Sequence, residues 1–364
     1  MQERIIMLVD FDYFFAQCEE LRNPSLKGKP VVVCVYSGRS EYSGAVSTAN
    51  YIARKYGVKS GISISLAKKK LKGTDAVFLP VDHEFYGEVS DKIMDILRIY
   101  ADRFEQVGID EAYLDISQKV NGDFVTAEKL AQRIKEEVRA KQGITISIGV
   151  GPNKLIAKIA SGIQKPDGLT TVTPEQVKSF LFPLPIGRLI GIGKKTELKM
   201  ESLGIRTIGD LAKIDVQRLI EIFGRKFGIY LHYASNGIDE SPVQERGESE
   251  SISRITTLKE DTRDLKTILE KTDQLCEDVY ARLRERNLSY KSVGIAAVMA
   301  DMSIHSRTKT FENSINELET FKKAVKELFE KLLNETDLEV RRVGVKLSNF
   351  VRKQEEQKQI TSFV

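Results

Sequence analysis

The chain has 364 residues, 41% of them hydrophobic and 30% charged, with a formal net charge of +4. That length exceeds one ordinary core and predicts about two to four folded units, while no run approaches the roughly 20 apolar residues of a membrane span and Met1-Gln2-Glu3-Arg4 does not open a signal peptide, so a cytoplasmic protein without a membrane partner is expected. Three widely spaced cysteines (Cys18, Cys34, Cys276) and three scattered histidines (His83, His232, His305) argue against a disulfide framework, a zinc site and a Ser-His-Asp triad, which leaves the chemistry to carboxylates, lysines and arginines.

Ile5-Ile6-Met7-Leu8-Val9 is an apolar run of buried-strand length that ends in Asp10-Phe11-Asp12. The aromatic stretch from Tyr13 to Glu20 begins a helix, whose N-terminal amides near Asp10 suit a phosphate. Pro30 to Val35 reads as a buried strand and Ser43 to Val46 as its return. Thr48, Tyr51 and Arg54 are spaced three apart and are expected on one face of a helix entered at Thr48. A hydroxyl, a phenol and a guanidinium converging there make a triphosphate grip, with a mixed surface face as the plainer alternative. From Phe14 to Phe78 eleven Lys and Arg face four acids, a local basic excess that suits nucleic acid or, equally, a solvated face.

Ala76 to Pro80 reads as another strand, followed by a helix near 86–100 with Val89, Ile93, Ile96 and Leu97 at helical spacing. In Gly108-Ile109-Asp110-Glu111-Ala112-Tyr113-Leu114-Asp115 two adjacent acids interrupt a β-forming stretch, and neighbours on a strand face opposite ways, so one of them at least must occupy a polar site. A hairpin tip is the plainer explanation. Against it stand Ile109, Ala112, Tyr113, Leu114 and Ile116, which read as strand on both sides with Gly108 the one turn residue. Asp10, at the end of the first strand, is the candidate partner. A helix near 126–141 and a strand at 144–150 complete an α+β layout, with two helices on one face of a mainly antiparallel sheet that includes the 76–80 strand.

A further helix begins at Gly151-Pro152-Asn153-Lys154 and exits through Lys165-Pro166-Asp167-Gly168, with Lys165 placed to reach an anion; a solvated helix-end lysine is the plainer reading. From Thr173 short helices are joined by glycine turns. Leu189 to Thr196 has the helix-hairpin-helix layout, in which Gly191, Gly193, Lys194 and Lys195 offer amides and ammonium groups to a DNA phosphate; an ordinary αα-corner is the alternative. Asp239 to Ser251 is a linker by composition. Beyond it the order βαββαβ is expected, with strands near 252–258, 292–299, 308–311 and 340–348 and helices over 265–285 and 317–333. Arg254, Arg307, Lys309, Arg341, Arg342 and Lys346 lie in those strands or at their ends, where alternation can put several on one exposed, DNA-facing side. Near the C-terminus, Gln357, Ile360 and Phe363 have the spacing of a sliding-clamp-binding peptide, with Val364 where that pattern has a second aromatic.

Taken in order, Val9-Asp10-Phe11-Asp12-Tyr13-Phe14, Ser43-Gly44-Ala45, Thr48-Ala49-Asn50-Tyr51 with Ala53-Arg54, Ile109-Asp110-Glu111-Ala112-Tyr113-Leu114-Asp115, Asn153-Lys154, Lys165-Pro166-Asp167-Gly168 and Gly191-Ile192-Gly193 carry a resemblance. From Ile5 to about Phe350 the chain resembles a Y-family, lesion-bypass DNA polymerase of the DinB class. The resemblance implies an α+β right-hand polymerase: a ferredoxin-like palm (1–13 and 79–172), small fingers (14–78), a helix-hairpin-helix thumb (173–239), a linker (240–251), a C-terminal βαββαβ little finger (252–350) and a tail (351–364). Asp10, Asp110 and Glu111 become the catalytic carboxylates, which with the Phe11 carbonyl hold two Mg²⁺ ions, Mn²⁺ being a possible substitute. Thr48, Tyr51, Arg54, Lys165 and the amides near Phe14 and Phe15 hold the incoming triphosphate. Phe15 is the steric gate against a ribose 2′-hydroxyl, and Val35, Ala45 and Gly61 roof the nascent base pair. Primer-template DNA, deoxynucleoside triphosphates and a sliding clamp are the implied partners of a monomeric enzyme that adds nucleotides to a primer 3′-hydroxyl with low fidelity and without proofreading. Two departures stand out: Gly108 occupies a position where many relatives have Ser, and the linker carries Glu240, Glu245, Glu248 and Glu250 against Arg246 alone. A nucleotide cyclase and a non-enzymatic DNA-binding scaffold are the competing readings.

Overall fold

The computed structural model describes residues 3–245, 247 and 250–352; Gln357, Ile360 and Phe363 of the tail, and Arg246 and Glu248 of the linker, lie outside the described residues. In chain order the elements are β1 (Ile6–Phe11), α1 (Phe14–Arg22), β2 (Val31–Tyr36), β3 (Gly44–Ala49), α2 (Tyr51–Lys55), α3 (Ile64–Lys70), β4 (Val77–Pro80), α4 (His83–Ile99), β5 (Arg103–Gln106), β6 (Glu111–Asp115), α5 (Phe124–Gln142), β7 (Ile146–Gly151), α6 (Lys154–Ser161), β8 (Leu169–Thr171), α7 (Val177–Leu181), α8 (Lys194–Ser202), α9 (Ile208–Ala212), α10 (Val216–Phe223) and α11 (Arg225–Ser235). The C-terminal part adds β9 (Ser251–Thr262), α12 (Leu265–Glu285), β10 (Leu288–Met299), β11 (Ile304–Ile315), α13 (Leu318–Asn334) and β12 (Val340–Arg352). The described residues divide into two compact units, one within Met1–Cys34, Val46–Ile62 and Leu66–Arg246, the other within Val35–Ala45, Ser63–Ser65 and Gly247–Val364. No helix among the described residues is long and apolar enough to cross a membrane.

The central sheet of the first unit has the order β5-β6-β1-β7-β8. β1 lies between two antiparallel partners and is apolar from Ile6 to Val9 because both of its faces are covered there. Met7, Val9 and Phe11 join the large core that also holds Ile93, Leu97, Ile134 and Val138 of α4 and α5, whereas Ile6 and Leu8 pack with Tyr113, Ala157 and Val243 on the other side. α6 covers that second side at close range: a Cβ on Gly149 of β7 would fall into the Ala157 backbone carbonyl, so only glycine lets the helix sit this low.

The α+β layout is observed, with two differences in detail. The strand expected at 76–80 is β4, and it pairs parallel with β2 in a separate sheet of order β3-β2-β4. Its four residues are only half-covered, and they take the open edge of β2 while the central sheet is extended by β8 instead. β8 itself leaves no signature in the sequence, since three residues are too short to show a period. In the C-terminal part the βαββαβ order is present: a four-stranded antiparallel sheet of order β11-β10-β12-β9, whose core residues Tyr290, Val293, Val343 and Val345 meet Leu283 of α12 and Phe321 and Phe329 of α13.

Candidate active site

β1 and β6 pair in a register that puts Asp10 directly opposite Glu111, so the two side chains share one face. Asp110 is the last residue of the connection between β5 and β6, and its carbonyl accepts a hydrogen bond from the Phe11 amide (2.8 Å). The acidic pair therefore does sit at a hairpin end: Val107 to Asp110 form the connection, and Ile109, read as strand, lies within it. Its apolar side chain has a strand-like signature because it packs against the large core from a loop. Burial, then the charge of Asp10 and then that of Glu111, push the Asp110 carboxyl above its ordinary value, with Lys165 opposing. A Cβ on Gly108 would come within 3.3 Å of Asp110 Oδ1, so the glycine leaves that carboxylate room.

Two ammonium groups answer this negative charge. Lys165 Nζ pairs with Asp10 Oδ1, and Lys158 Nζ pairs with Glu111 Oε2 while standing 3.9 Å from Asp10 Oδ2. The sequence predicts Lys165 near an anion and does not single out Lys158. Its signal was the four-residue spacing from Lys154 on α6, which puts both on one helical face, and Lys154 likewise ion-pairs, with Glu105 (2.7 Å). Among the described residues no group of three His, Cys, Asp or Glu is gathered as closely as a metal ion needs. The donor set, three carboxylates without His or Cys, nonetheless fits a hard divalent ion, and the lysines occupy the place of positive charge beside it.

Thr48, Tyr51 and Arg54 do not share a helical face. Thr48 is still in β3, Asn50 caps α2 by accepting from the Ala53 amide (3.0 Å), and the helix begins at Tyr51. The capping preference of Asn50 overrides the spacing of three. Tyr51 and Arg54 remain together: the guanidinium lies 4.7 Å from the phenol ring centroid and donates through Nε to the Ala49 carbonyl (2.8 Å). Burial and then the negative charge of Asp12 raise the Tyr51 phenol. Phe14 and Phe15 open α1, whose N-cap Tyr13 is left-handed (φ 35°) and makes no side-chain cap. The Phe15 ring stacks on Tyr86 (centroids 4.5 Å apart), and the Tyr86 hydroxyl donates to Glu19 Oε1 (2.6 Å), so the Phe15 ring is braced from behind.

In the hairpin, Gly191 adopts the left-handed conformation (φ +85°), Gly193 caps α8 and Lys194 begins it, its exposed ammonium 3.1 Å from Glu197. The segment before the hairpin is one 3-10 turn, Ile186–Arg188, in place of a full helix. The basic residues of the C-terminal sheet are divided between its faces. Arg342 and Lys346 alternate with the buried Val343, Val345 and Leu347 and share the helix-free face with Ser253, Ile255 and Thr308. Arg254, Arg307 and Lys309 pair in register with Val345, Ile295 and Val293 and so point to the helix-covered side, where Arg307 meets Glu335 and Lys309 meets Glu327 (2.5 Å). Arg341, beside a bulge in β12, lies 3.5 Å from Asp261. Alternation thus does put two of these residues, Arg342 and Lys346, on one helix-free side and turns others to the covered one, because strand alternation alone does not say which face the helices cover.

Fold and site together define a DNA-directed DNA polymerase. Residues 9–162 match the model of the impB/mucB/samB family, 249–362 that of the family's C-terminal domain, and 187–239 that of the DNA polymerase-iota thumb domain. The chain is 49% identical to DNA polymerase IV of Nitrosopumilus maritimus over 364 residues, the full length of both, and 46% identical to DNA polymerase IV of Methanosarcina acetivorans over 97% of this chain and 98% of that one. Among solved structures it is similar to a Y-family polymerase chimera of Dbh and Dpo4 (TM-score 0.90, 39% identity, 96% of this chain and 99% of that one) and to an insertion ternary complex of Dbh DNA polymerase (TM-score 0.68, 38% identity, with the same coverage). The chain belongs to the Y-family of lesion-bypass DNA polymerases, in the DinB class. The cyclase and scaffold readings fall with that assignment.

Proposed function

We propose that Asp10, Asp110 and Glu111, with the Phe11 carbonyl, hold two Mg²⁺ ions, for which Mn²⁺ can substitute, and that the chain adds deoxynucleotides to a primer 3′-hydroxyl with low fidelity and without proofreading. The observation that carries this is the register of β1 and β6, which sets Asp10 against Glu111 beside the raised carboxyl of Asp110. Ions bound there supply charge neutralisation at the α-phosphate and activation of the 3′-hydroxyl. The chain's own groups bind and orient. Tyr51, Arg54 and Lys165, with Thr48 and the first amides of α1, grip the phosphates; Phe15, braced by Tyr86, excludes a 2′-hydroxyl. The exposed Val35, Ala45 and Gly61 are small enough to leave room for a damaged base. Gly191, Gly193 and Lys194 hold a DNA backbone without reading its sequence, and of the basic residues in the C-terminal sheet Arg342 and Lys346 suit the same role. Palm, fingers, thumb and little finger, with the boundaries given above, are the domains of this reading. The clamp contact of Gln357, Ile360 and Phe363 is proposed from sequence alone.

Primer extension by Asp110→Ala, with DNA binding followed in parallel by fluorescence anisotropy, is the test. Extension is expected to vanish while the DNA affinity persists; retained extension would remove Asp110 from the site.

A further inference from the structure

Asp12 is fully buried, and the metal reading leaves it without a task. A carboxylate removed from water is costly unless its oxygens are satisfied. Here Oδ1 accepts from Ser147 Oγ (2.7 Å) and Oδ2 from the backbone amide of Asp167 (2.8 Å). Ser147 Oγ in turn accepts from the amide of Gly168 (3.1 Å). The loop residues two and three positions beyond Lys165 are thus tied to Asp12, one directly and one through a serine that is itself fully buried.

The same turn is held from its other side. Lys135 of α5, a buried lysine, donates to the carbonyls of Asp167 and Gly168 and lies 3.1 Å from Asp167 Oδ1. The Gly168 carbonyl also accepts from the Ile148 amide (3.0 Å), which sews the turn onto β7. Lys165 projects from this anchored segment to Asp10. A long, flexible ammonium chain needs a fixed base to deliver its charge to one place.

We propose that Asp12 is a positioning residue: through Ser147 and the Asp167 amide it fixes the Lys165 turn, and so sets where the Lys165 ammonium meets the incoming triphosphate. This rests on the reading of Lys165 as a triphosphate ligand. Asp10 and Asp12, two residues apart, then serve the reaction differently, Asp10 by direct contact and Asp12 by holding another residue's backbone.

The test is single-nucleotide incorporation by the full chain carrying Asp12→Ala, Asp12→Asn, Ser147→Ala, Lys165→Ala or the Asp12→Ala/Lys165→Ala pair, with hydrogen exchange followed at the Asp167 and Gly168 amides. Losing one hydrogen bond to a charged group corresponds to about a tenfold change, so Asp12→Ala should raise KM for the nucleotide about tenfold with a smaller effect on kcat. Asp12→Asn, which keeps an acceptor for the Asp167 amide, should restore most of it. Exchange at both amides should quicken, and in the Lys165→Ala background Asp12→Ala should raise KM no further. An equal rise in KM with and without Lys165 overturns the proposal, as does an unchanged KM in folded Asp12→Ala when Lys165→Ala alone raises it. If Asp12→Ala fails to fold, Ser147→Ala carries the same decision, and an unchanged KM there also overturns it. An unchanged KM in Lys165→Ala would instead strike the triphosphate reading, and this proposal with it.

Discussion

Lys158 and Lys165 pair with the carboxylates proposed to hold the metal ions, and they are held differently. Lys165 is tethered by a turn, whereas Lys158 rides on α6 and draws Glu111 to itself. An internal ammonium on a ligand carboxylate competes with an added cation for the same oxygens. Lys158→Ala is therefore expected to bind Mn²⁺ more tightly than the parent in the absence of DNA, read by electron paramagnetic resonance of the free ion; an unchanged or weaker affinity would speak against the competition. Phe15 makes a separate prediction. Its ring is stacked on Tyr86, and with Phe15 as the proposed gate its truncation to alanine opens space at the sugar. Phe15→Ala should incorporate ribonucleotides at least about tenfold more readily than the parent, the scale of one removed steric or packing contact. Unaltered sugar discrimination in primer extension would disprove the gate.

At the scale of elements, several helices begin on an aspartate that turns its carboxylate onto the first free amides. Asp123 accepts from the amides of Val125 (3.2 Å) and Thr126 (2.8 Å) at the start of α5, and Asp264 from that of Thr267 (2.9 Å) at the start of α12. The Thr126 hydroxyl and amide hold the Asp123 carboxyl below its ordinary 3.8, and the Thr267 hydroxyl and amide do the same for Asp264. Because the folded values are the lower ones, the unfolded chain binds more protons in this range. The stabilisation is complete above the ordinary value and is lost as pH falls through the depressed ones. Thermal melts between about pH 6 and about pH 3 should show a midpoint that drops on the acid side, and the Asp123→Asn/Asp264→Asn pair should flatten that drop. A slope as steep in the pair as in the parent would mean that other carboxylates govern the acid limb.

The molecule as a whole carries separate cores. One surrounds β1, with Phe11, Phe14, Tyr86 and Ile134; another lies under the C-terminal sheet, with Tyr290, Phe321 and Phe329. Independent cores of this size need not unfold together. Calorimetry is expected to resolve more than one transition, and Phe329→Ala, which empties a fully buried site, should lower one of them by about 3–5 kcal/mol while leaving another in place. A single transition that moves as a block would show that the units melt cooperatively.

What could be read from residues alone was whatever has a local cause. The apolar run before Asp10 makes a strand wherever it pairs, the helices over α4, α5, α12 and α13 show their period, and the ordered motifs carry Asp10, Asp110, Glu111, Phe15 and Lys165 with them. Tertiary structure decided what depends on register and on which face is covered. It set Asp10 opposite Glu111, brought Lys158 onto that pair across a helix lowered by Gly149, and gave Asp12 the turn at Asp167. It also turned Arg307 and Lys309 toward α13 while leaving Arg342 and Lys346 on the open side. Strand alternation supplies two faces in any sequence, but only long-range pairing and helix packing choose which one meets the core, and that choice involves partners far apart along the chain.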